Sequence, residues 1–599
     1  MKKKFINLFL SIISTLSLFL NFKKIYLNKS GIVNIWSIIL FIIFAIVFYL
    51  FYNKVDLKKS LKEDKILSSL FSIFTLIGQS YRSVSSLSIL FKKYMFIFTI
   101  FRFIGLYFLY LLLIYYYKKC INNFKNRPDL KENRFIKIFN KHPFLTSLVV
   151  ICLVWTIYYI AFYPAVLSPD PSYQIKQAFN VRTKYNDYSI QINPKVNITN
   201  HHPVFHTLLL GGCIRLGRLI LNDNFGLFIY TFTQGMFLAV TLAYTVLLLK
   251  KKNIQNKYLI PLLLIYSFAP CFPFYAINMN KDVYYTTFII WLIILLIRYI
   301  ECFKTTKVTK SFLLEYFIVS IFLCLFRNNG IFLIIMLLPF LYKFSKKNRI
   351  SILIVTILIT GLYYSYTKIL LPKLGVTGTS VREALSIPFQ QSARYIKYYE
   401  SELSLKDKEN IGKVLNYEVI KNSYDPQLSD PVKNTYNKYA TKEELLNYFD
   451  TWAHGLIKRP FLYLDATLNN IYGFFDPGDI HWYIYSRYND TITENGLVDY
   501  HYNNLNILRV ILKNYAYAFK VIPVLGLIVT PGFNTWILLC LIIYILKSKK
   551  KDEIIVLLPM IVSLVFCVLG PANNYYRYAM PYVFSMPFVV VYYLNKKVR

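Results

Sequence analysis

Acid is scarce in this chain: 30 aspartates and glutamates stand against 69 lysines and arginines in 599 residues, for a formal net charge of +39. Cysteine is scarcer still. The eight cysteines are scattered singly, most within apolar runs, as Cys152, Cys324, Cys540 and Cys567 are. No CxxC pair occurs, which excludes a disulfide framework and a zinc–cysteine site. Internal repeats, coiled-coil heptads and low-complexity tracts beyond a Lys/Asn/Ile bias are missing as well. So large a basic excess suggests nucleic acid. The cations, however, fall in short blocks between apolar runs instead of along one polar domain, and that distribution argues against a nucleic-acid partner.

What abounds is apolar and aromatic surface. At 56% hydrophobic and 18% aromatic, with a mean hydropathy of +0.42, the chain is too apolar for a soluble globular protein of its length. A lipid bilayer absorbs such an excess. Apolar stretches of about 15 to 25 residues are candidate spans, because only a helix satisfies its own backbone hydrogen bonds in lipid. About fourteen occur, near Phe5–Leu20, Ile32–Tyr52, Ile66–Gly78, Tyr94–Tyr117, Pro143–Phe162, Phe225–Leu249, Tyr258–Ala276, Val283–Ile300, Phe312–Phe326, Ile331–Tyr342, Ser351–Tyr366, Val521–Leu546, Ile554–Leu569 and Met580–Leu594. The start, Met1 to Lys4 followed by an apolar run, has two regions of a signal peptide but no small-residue cleavage site, and reads as a retained first span. The fold class is therefore an all-α polytopic membrane protein.

Basic loops stay cytoplasmic. Lys118–Lys141, Lys250–Lys252, Lys343–Arg349, Lys547–Lys551 and the tail Lys596–Arg599 all fall on one side, which is then the inside, with Lys23, Lys24 and Lys29 left outside. This topology divides the chain into an N-terminal transmembrane extension (1–142, about four spans), a transmembrane core (143–370) with a first outer loop (164–224), an outer helical domain (371–517) and C-terminal transmembrane helices (518–599). Within the outer domain Thr441 to Glu444 forms a capping box, and Leu445, Tyr448, Trp452 and Leu456 follow on roughly one helical face.

The outer side carries the polar residues that chemistry requires. The first loop opens on Ser168-Pro-Asp170-Pro, with Gln174 one turn on, and closes on Asn200-His201-His202-Pro203, with His206 after it. A carboxylate fixed between prolines at the interface suits a general base, and equally suits a plain loop or cap residue. His202 and His206 are four apart, and Pro203 suits a first helical position. The two imidazoles then share a face as ligands of a divalent metal or as phosphate contacts, or they bond a substrate or the loop itself; no third metal ligand sits at a diagnostic spacing. The turn Asn278-Met-Asn280-Lys281-Asp282 joins two spans, and ionisable groups at that depth are more often functional than those of a soluble loop, although Asp282 also suits the cap of the next helix.

Arg327, Arg382, Arg394 and Arg577 lie outside against the positive-inside trend. Their guanidinium groups suit a lipid phosphate or simply snorkel to headgroups. The run Arg382 to Arg394 also places Gln390 and Gln391 on a helix-like stretch, where paired amides suit sugar hydroxyls. Gly375 to Ser380 lacks the lysine and the preceding strand of a phosphate loop.

Over roughly Pro143–Leu594 this pattern resembles the GT-C superfamily of membrane glycosyltransferases. The resemblance rests on Ser168 to Asp170, Asn200 to Pro203, Asn280 to Asp282 and Ile387 to Gln391, and is strongest to bacterial polytopic members. It departs from protein O-mannosyltransferases in having no Asp-Glu pair in the first loop, and it lacks the Trp-Trp-Asp motif of oligosaccharyltransferases. The resemblance implies a GT-C-like core and a multi-pass enzyme of the plasma membrane that works on its extracytoplasmic face. It implies an inverting transfer of a sugar from a polyprenyl-phosphate donor to a cell-envelope glycan or other acceptor, with Asp170 as base and Asp282 assisting. Lys281, Arg327, Arg394 and Arg577 then hold the leaving phosphate, and no nucleotide is needed. Two other readings share the outer face: a flippase or transporter of lipid-linked saccharide, which calls for ionisable groups in mid-span, and a surface-polysaccharide polymerase or ligase.

Overall fold

A computed structural model describes residues 2–19, 35–300, 308–345, 347–478, 480, 483–486, 492–493, 496–548, 550–570 and 572–595. Lys23, Lys24, Lys29 and the tail Lys596–Arg599, used above as topology signals, lie outside the described residues. The architecture is helical, and the one sheet among the described residues has two strands. Among the described residues five helices are long and apolar enough to cross a membrane: Lys93–Asn126, Pro143–Ala161, Asp223–Lys251, Lys281–Tyr299 and Arg349–Lys373. Shorter helices lie in the other apolar segments.

The apolar side chains face two ways. On Ile35–Asn53 many point outward, among them Ile42, Ile46 and Leu50, and on Arg349–Ser365 Ile350, Ile354 and Ile357 do the same. Water would penalise such stripes, whereas hydrocarbon does not. Lys281–Tyr299 is the opposite case, with sixteen of its nineteen residues buried. It packs against Asp223–Lys251, Lys310–Phe326, Ile554–Val568 and Tyr576–Leu594 and forms the centre of the bundle. Helices Val204–Ile220 and Asp223–Lys251 form a tight hairpin at whose turn a Cβ on Gly217 would lie 2.2 Å from the Gly226 backbone nitrogen.

The N-terminal helices have their own apolar core around Leu10, Phe48, Tyr52 and Leu106. Polar ties fix them together: Asn7 donates to Asn53 (2.8 Å) and Arg102 Nε to the Ser17 carbonyl (3.0 Å). The helical lobe after residue 381 also has a core of its own, built on Phe389, Ile396, Ile411, Val414, Ile420 and Tyr448. Its capping box forms as the sequence predicts: Thr441 Oγ1 accepts from Glu444 N (3.2 Å), and Glu444 Oε2 accepts from Thr441 N (2.8 Å). Asp465 docks the N-terminal helices onto this lobe. Its carboxylate accepts from Tyr81 Oη (2.9 Å), Ser86 Oγ (2.6 Å), Leu87 N (2.8 Å) and Arg394 Nη2 (3.1 Å).

Candidate functional site

Two short strands bring the distant loops together. Val166–Leu167 pairs in parallel with Asn278–Met279, Val166 opposite Asn278 and Leu167 opposite Met279. Parallel strands leave a sheet in the same direction, so the residues that follow each strand emerge side by side. After the first strand comes helix Pro169–Ala178, with Asp170 in its first turn. After the second comes Lys281–Tyr299, with Lys281 and Asp282 in its first turn, where the positive end of the helix dipole favours a carboxylate. Asn280, not Asp282, caps that helix, its Oδ1 accepting from Asp282 N at 2.9 Å. The Asp282 side chain is thereby left free to face the bundle.

Two further turns complete the cluster. Arg327 ends Lys310–Phe326, and the adjoining Asn328 donates to the Asn200 carbonyl at 2.8 Å, fixing this turn to the Asn200–Pro203 segment. Arg577 lies in the first turn of Tyr576–Leu594. Tyr578 stands between the two guanidinium groups, Arg327 lying 4.8 Å and Arg577 5.4 Å from its ring centroid.

The charges then meet in one buried network. Arg577 Nη1 donates to Asp170 Oδ2 at 2.6 Å, and its Nε lies 3.8 Å from Asp282 Oδ2. Arg327 Nη1 is 3.4 Å from Asp282 Oδ1, and Lys281 Nζ is 3.4 Å from Asp170 Oδ2. The Asp282 side chain is 1% exposed and that of Asp170 17%. Lys281 Nζ also faces His202 Nδ1 at 3.3 Å. An ammonium only donates, so Nδ1 accepts, and His202 is the neutral Nε2–H tautomer. Burial and the neighbouring Lys281 press the His202 pKa well down in agreement. For Asp170 burial favours the neutral acid, but the Arg577 and Lys281 cations outweigh it and hold the carboxyl well below its ordinary range.

Three cations and two carboxylates therefore share the site, leaving one positive charge uncompensated. Several buried atoms there have no hydrogen-bond partner: both Asp282 oxygens, Arg577 Nε, His202 Nε2 and both amide atoms of Asn278. Buried polar groups are normally satisfied, so these atoms keep hydrogen-bonding capacity for water or a polar ligand.

The remaining predicted residues fall elsewhere. His201 stacks on Tyr185 (4.2 Å between centroids) and lies 3.8 Å from Glu383, at the edge of the cluster. Glu383 pairs with Lys433 (2.7 Å) and Arg382 (3.1 Å), and Arg382 covers the Tyr188 ring and donates to Asn434. Arg382 is thus spent on an ion-pair group beside the site. His202 and His206 do not converge as a ligand pair, and no group of three or more metal-ligating side chains occurs among the described residues. His206 turns into the helices with Gln174, for a reason of fold. Its Nδ1 meets Gln174 Oε1 at 3.0 Å and its Nε2 meets Tyr230 Oη at 2.6 Å. Tyr230 donates to Gln234 Oε1 (3.0 Å), and Gln234 Nε2 donates to the Asn278 carbonyl (2.7 Å). This chain of bonds ties the Asp170 helix to the strand before Lys281. Neither Tyr230 nor Gln234 is conspicuous in sequence, lying four apart in an apolar helix.

Gln390, Gln391 and Arg394 belong to the lobe, not to the site. Gln390 donates to the Asp425 carbonyl, and Gln391 bonds Thr467 (2.9 Å) and Trp452 Nε1 (2.9 Å). Arg394 serves Asp465 and Tyr424. A short polar stretch on a helix offers its groups to whatever packs on it, and here that is the lobe itself.

An apolar groove of about 490 Å³ opens along the side of the bundle between Pro143–Ala161 and Asp223–Lys251, lined by Trp155, Tyr159, Phe228, Phe232 and Met236. The Tyr159 hydroxyl at its wall donates to the Thr231 carbonyl (2.8 Å) and toward that of Ala276 (3.3 Å), two residues before the second strand.

A model of the family described as "Family of unknown function (DUF6020)" matches residues 4–599. No curated protein and no solved structure matches the chain.

Proposed function

The chain belongs to the DUF6020 family, and we propose that it is a membrane glycosyltransferase of the GT-C kind. It moves a sugar from a polyprenyl-phosphate carrier to a glycan or other acceptor of the cell envelope, on the extracytoplasmic side of the plasma membrane. The observation that carries this reading is the buried meeting of Asp170, Asp282, Arg577, Arg327 and Lys281 with one cation in excess. An excess cation of this kind favours an anionic ligand, and guanidinium groups match phosphate oxygens in number and geometry. The apolar side groove supports a substrate with a hydrocarbon chain.

In this reaction the acceptor oxygen attacks the anomeric carbon from the face opposite the phosphate. The new carbon–oxygen bond forms as the bond to the phosphate oxygen breaks, and the anomeric configuration inverts. Asp170 takes the acceptor's proton. Arg577, Arg327 and Lys281 hold the phosphate as its second negative charge appears, and positioned cations in a dry site act most strongly on such developing charge. His202, neutral beside Asp170, is placed to bond a sugar hydroxyl.

The test is reconstitution of the purified protein in lipid with polyprenyl-phosphate sugars and a hydroxyl acceptor, comparing wild type with Asp170→Asn. The reading requires transfer by wild type and its loss in the variant. Equal transfer by both removes Asp170 as base, and movement of the lipid-linked sugar across the bilayer without transfer replaces the reading with transport.

A further inference from the structure

Arg577 has two incompatible duties in the site just described. In the free protein it is the shortest contact of Asp170, at 2.6 Å. A carboxylate that accepts so short a charge-assisted bond is a poor base, because taking a proton means giving up the ion pair. A phosphate arriving at the same cluster calls on the same guanidinium. The geometry supplies a way out. Arg577 Nε has no hydrogen-bond partner and stops 3.8 Å from Asp282 Oδ2, and both Asp282 oxygens are likewise without one. Asp282 is anchored from its other side by Arg327 at 3.4 Å.

We propose that an incoming phosphodiester takes Arg577 away from Asp170, with Asp282 closing on the guanidinium Nε as the Asp170 contact opens, so that Asp170 becomes a base only once the donor is seated. The inference rests on the glycosyltransferase reading for the identity of the anion.

Charge closes at every stage. The empty site has one positive charge too many, and a phosphodiester brings one negative charge and neutralises it. During transfer the acceptor's proton goes to Asp170 and the electron pair of the broken bond goes to the phosphate. Asp170 loses a negative charge as the phosphate gains one. A protonated Asp170 no longer attracts Arg577, whereas the phosphate dianion needs it, so the exchange moves the cation with the charge. The consequence is order: without donor, Asp170 stays clamped, and no acceptor hydroxyl or water is activated.

The other groups around Asp170 do not supply this switch. Lys281 and His202 touch it from the adjoining turns and stay with each other through the Nζ···Nδ1 contact. Tyr185 and His201 act on it from the far end of the first loop, and Tyr575 and Tyr578 from the turn that carries Arg577. His206 acts from behind and is bonded to Gln174 and Tyr230. Among the described residues only Arg577 forms an ion pair with both Asp170 and a second carboxylate.

The experiment measures protons taken up on binding. A short-chain isoprenyl phosphodiester of a hexose, whose single charge does not titrate near neutrality, is titrated into the full chain in lipid nanodiscs. Calorimetry in two buffers of different ionisation enthalpy counts the protons. At about pH 5.5 wild type takes up protons on binding, and at about pH 8 it takes up none, because release from Arg577 raises the proton affinity of Asp170. Asp170→Asn binds the probe at least as tightly with no uptake, and Asp282→Asn still takes up protons. In wild type alone, infrared difference spectra at the lower pH gain a protonated-carboxyl band when the probe is added, a readout that needs no variant. Binding by wild type with no uptake and no such band overturns the exchange and leaves the donor reading standing. Uptake that persists in Asp170→Asn also overturns it. No binding of the probe removes the donor reading, and the exchange with it.

Discussion

Arg577 donates to Asp170 across 407 positions of sequence, with Nη1 2.6 Å from Oδ2. The pair joins the first loop to the last helix and places the proposed base and the proposed phosphate ligand in direct contact. Asp282, on the central helix, lies 3.8 Å from the Nε of the same arginine.

If Asp170 is the base, Asp170→Asn lowers turnover by about 10²- to 10⁴-fold, the usual worth of a positioned general base. The amide keeps the volume, and Arg577 keeps Asp282 as a partner. Sugar transfer in lipid reads the loss, and a single cooperative thermal transition, shifted down by the lost Asp170–Arg577 pair, shows that the variant is folded.

Asp282→Ala leaves Arg327 and Arg577 buried near each other with no carboxylate between them. Removing one partner of a buried ion pair costs about 3 to 5 kcal/mol. Arg327→Ala in the same chain removes the cation left without its carboxylate, so the double variant is more stable than the sum of the single effects. Thermal unfolding of the four proteins in one detergent gives the coupling.

Tyr230→Phe breaks the chain from Gln174 to Asn278 in its middle. Gln234 Oε1 and His206 Nε2 lose a shared partner, at a cost of about 1 to 3 kcal/mol for buried groups left unpaired. Because the chain positions the Asp170 helix, the same variant lowers the turnover number more than it raises KM.

His201 stays neutral in the fold. Burial, which the nearby Glu383 only partly offsets, presses its pKa to about 4, against about 6.5 for a free imidazole. Between those values the unfolded chain binds a proton that the folded chain does not. Stability therefore rises with pH across that window and is lost on acidification through it, by about 3 kcal/mol in all. Below it the clamped carboxylate of Asp170 adds a further loss in the same direction. Unfolding followed from about pH 7 to 4 shows the slope, to which the buried neutral His202 adds in the same sense, and His201→Gln lowers it by the His201 share.

Asp465→Ala removes the acceptor shared by Tyr81, Ser86, Leu87 and Arg394. Arg394 is then stranded, the N-terminal helices detach from the lobe, and the loop near Ser85 becomes a site of protease cleavage. Limited proteolysis of wild type and variant in the same lipid checks it.

Much of the helical layout is legible in the sequence. Apolar runs predict helices where helices occur, because hydrocarbon surface and backbone hydrogen bonding leave a chain in lipid few other choices. The Thr441–Glu444 box forms because both its bonds are local. The loops that supply Asp170, Lys281, Asp282, Arg327 and Arg577 are marked out by charge in an apolar chain. Their union is not. It depends on two residue pairs, Val166 with Asn278 and Leu167 with Met279, and nothing in four apolar or amide side chains signals a two-residue parallel bridge.

Charge also misled. Gln390, Gln391 and Arg394 stand out in sequence as strongly as Arg577 does, yet the lobe consumes them internally, while Tyr230 and Gln234, unmarked in an apolar helix, hold the site in register. Composition and local spacing determined which segments are helical and which few residues carry charge at the loops, since those follow from solvent and from neighbours within a turn. Which charged groups meet was decided only by tertiary structure. A buried ion is stable only beside a partner, and that partner comes from whichever distant segment the packing of the central helix brings within reach.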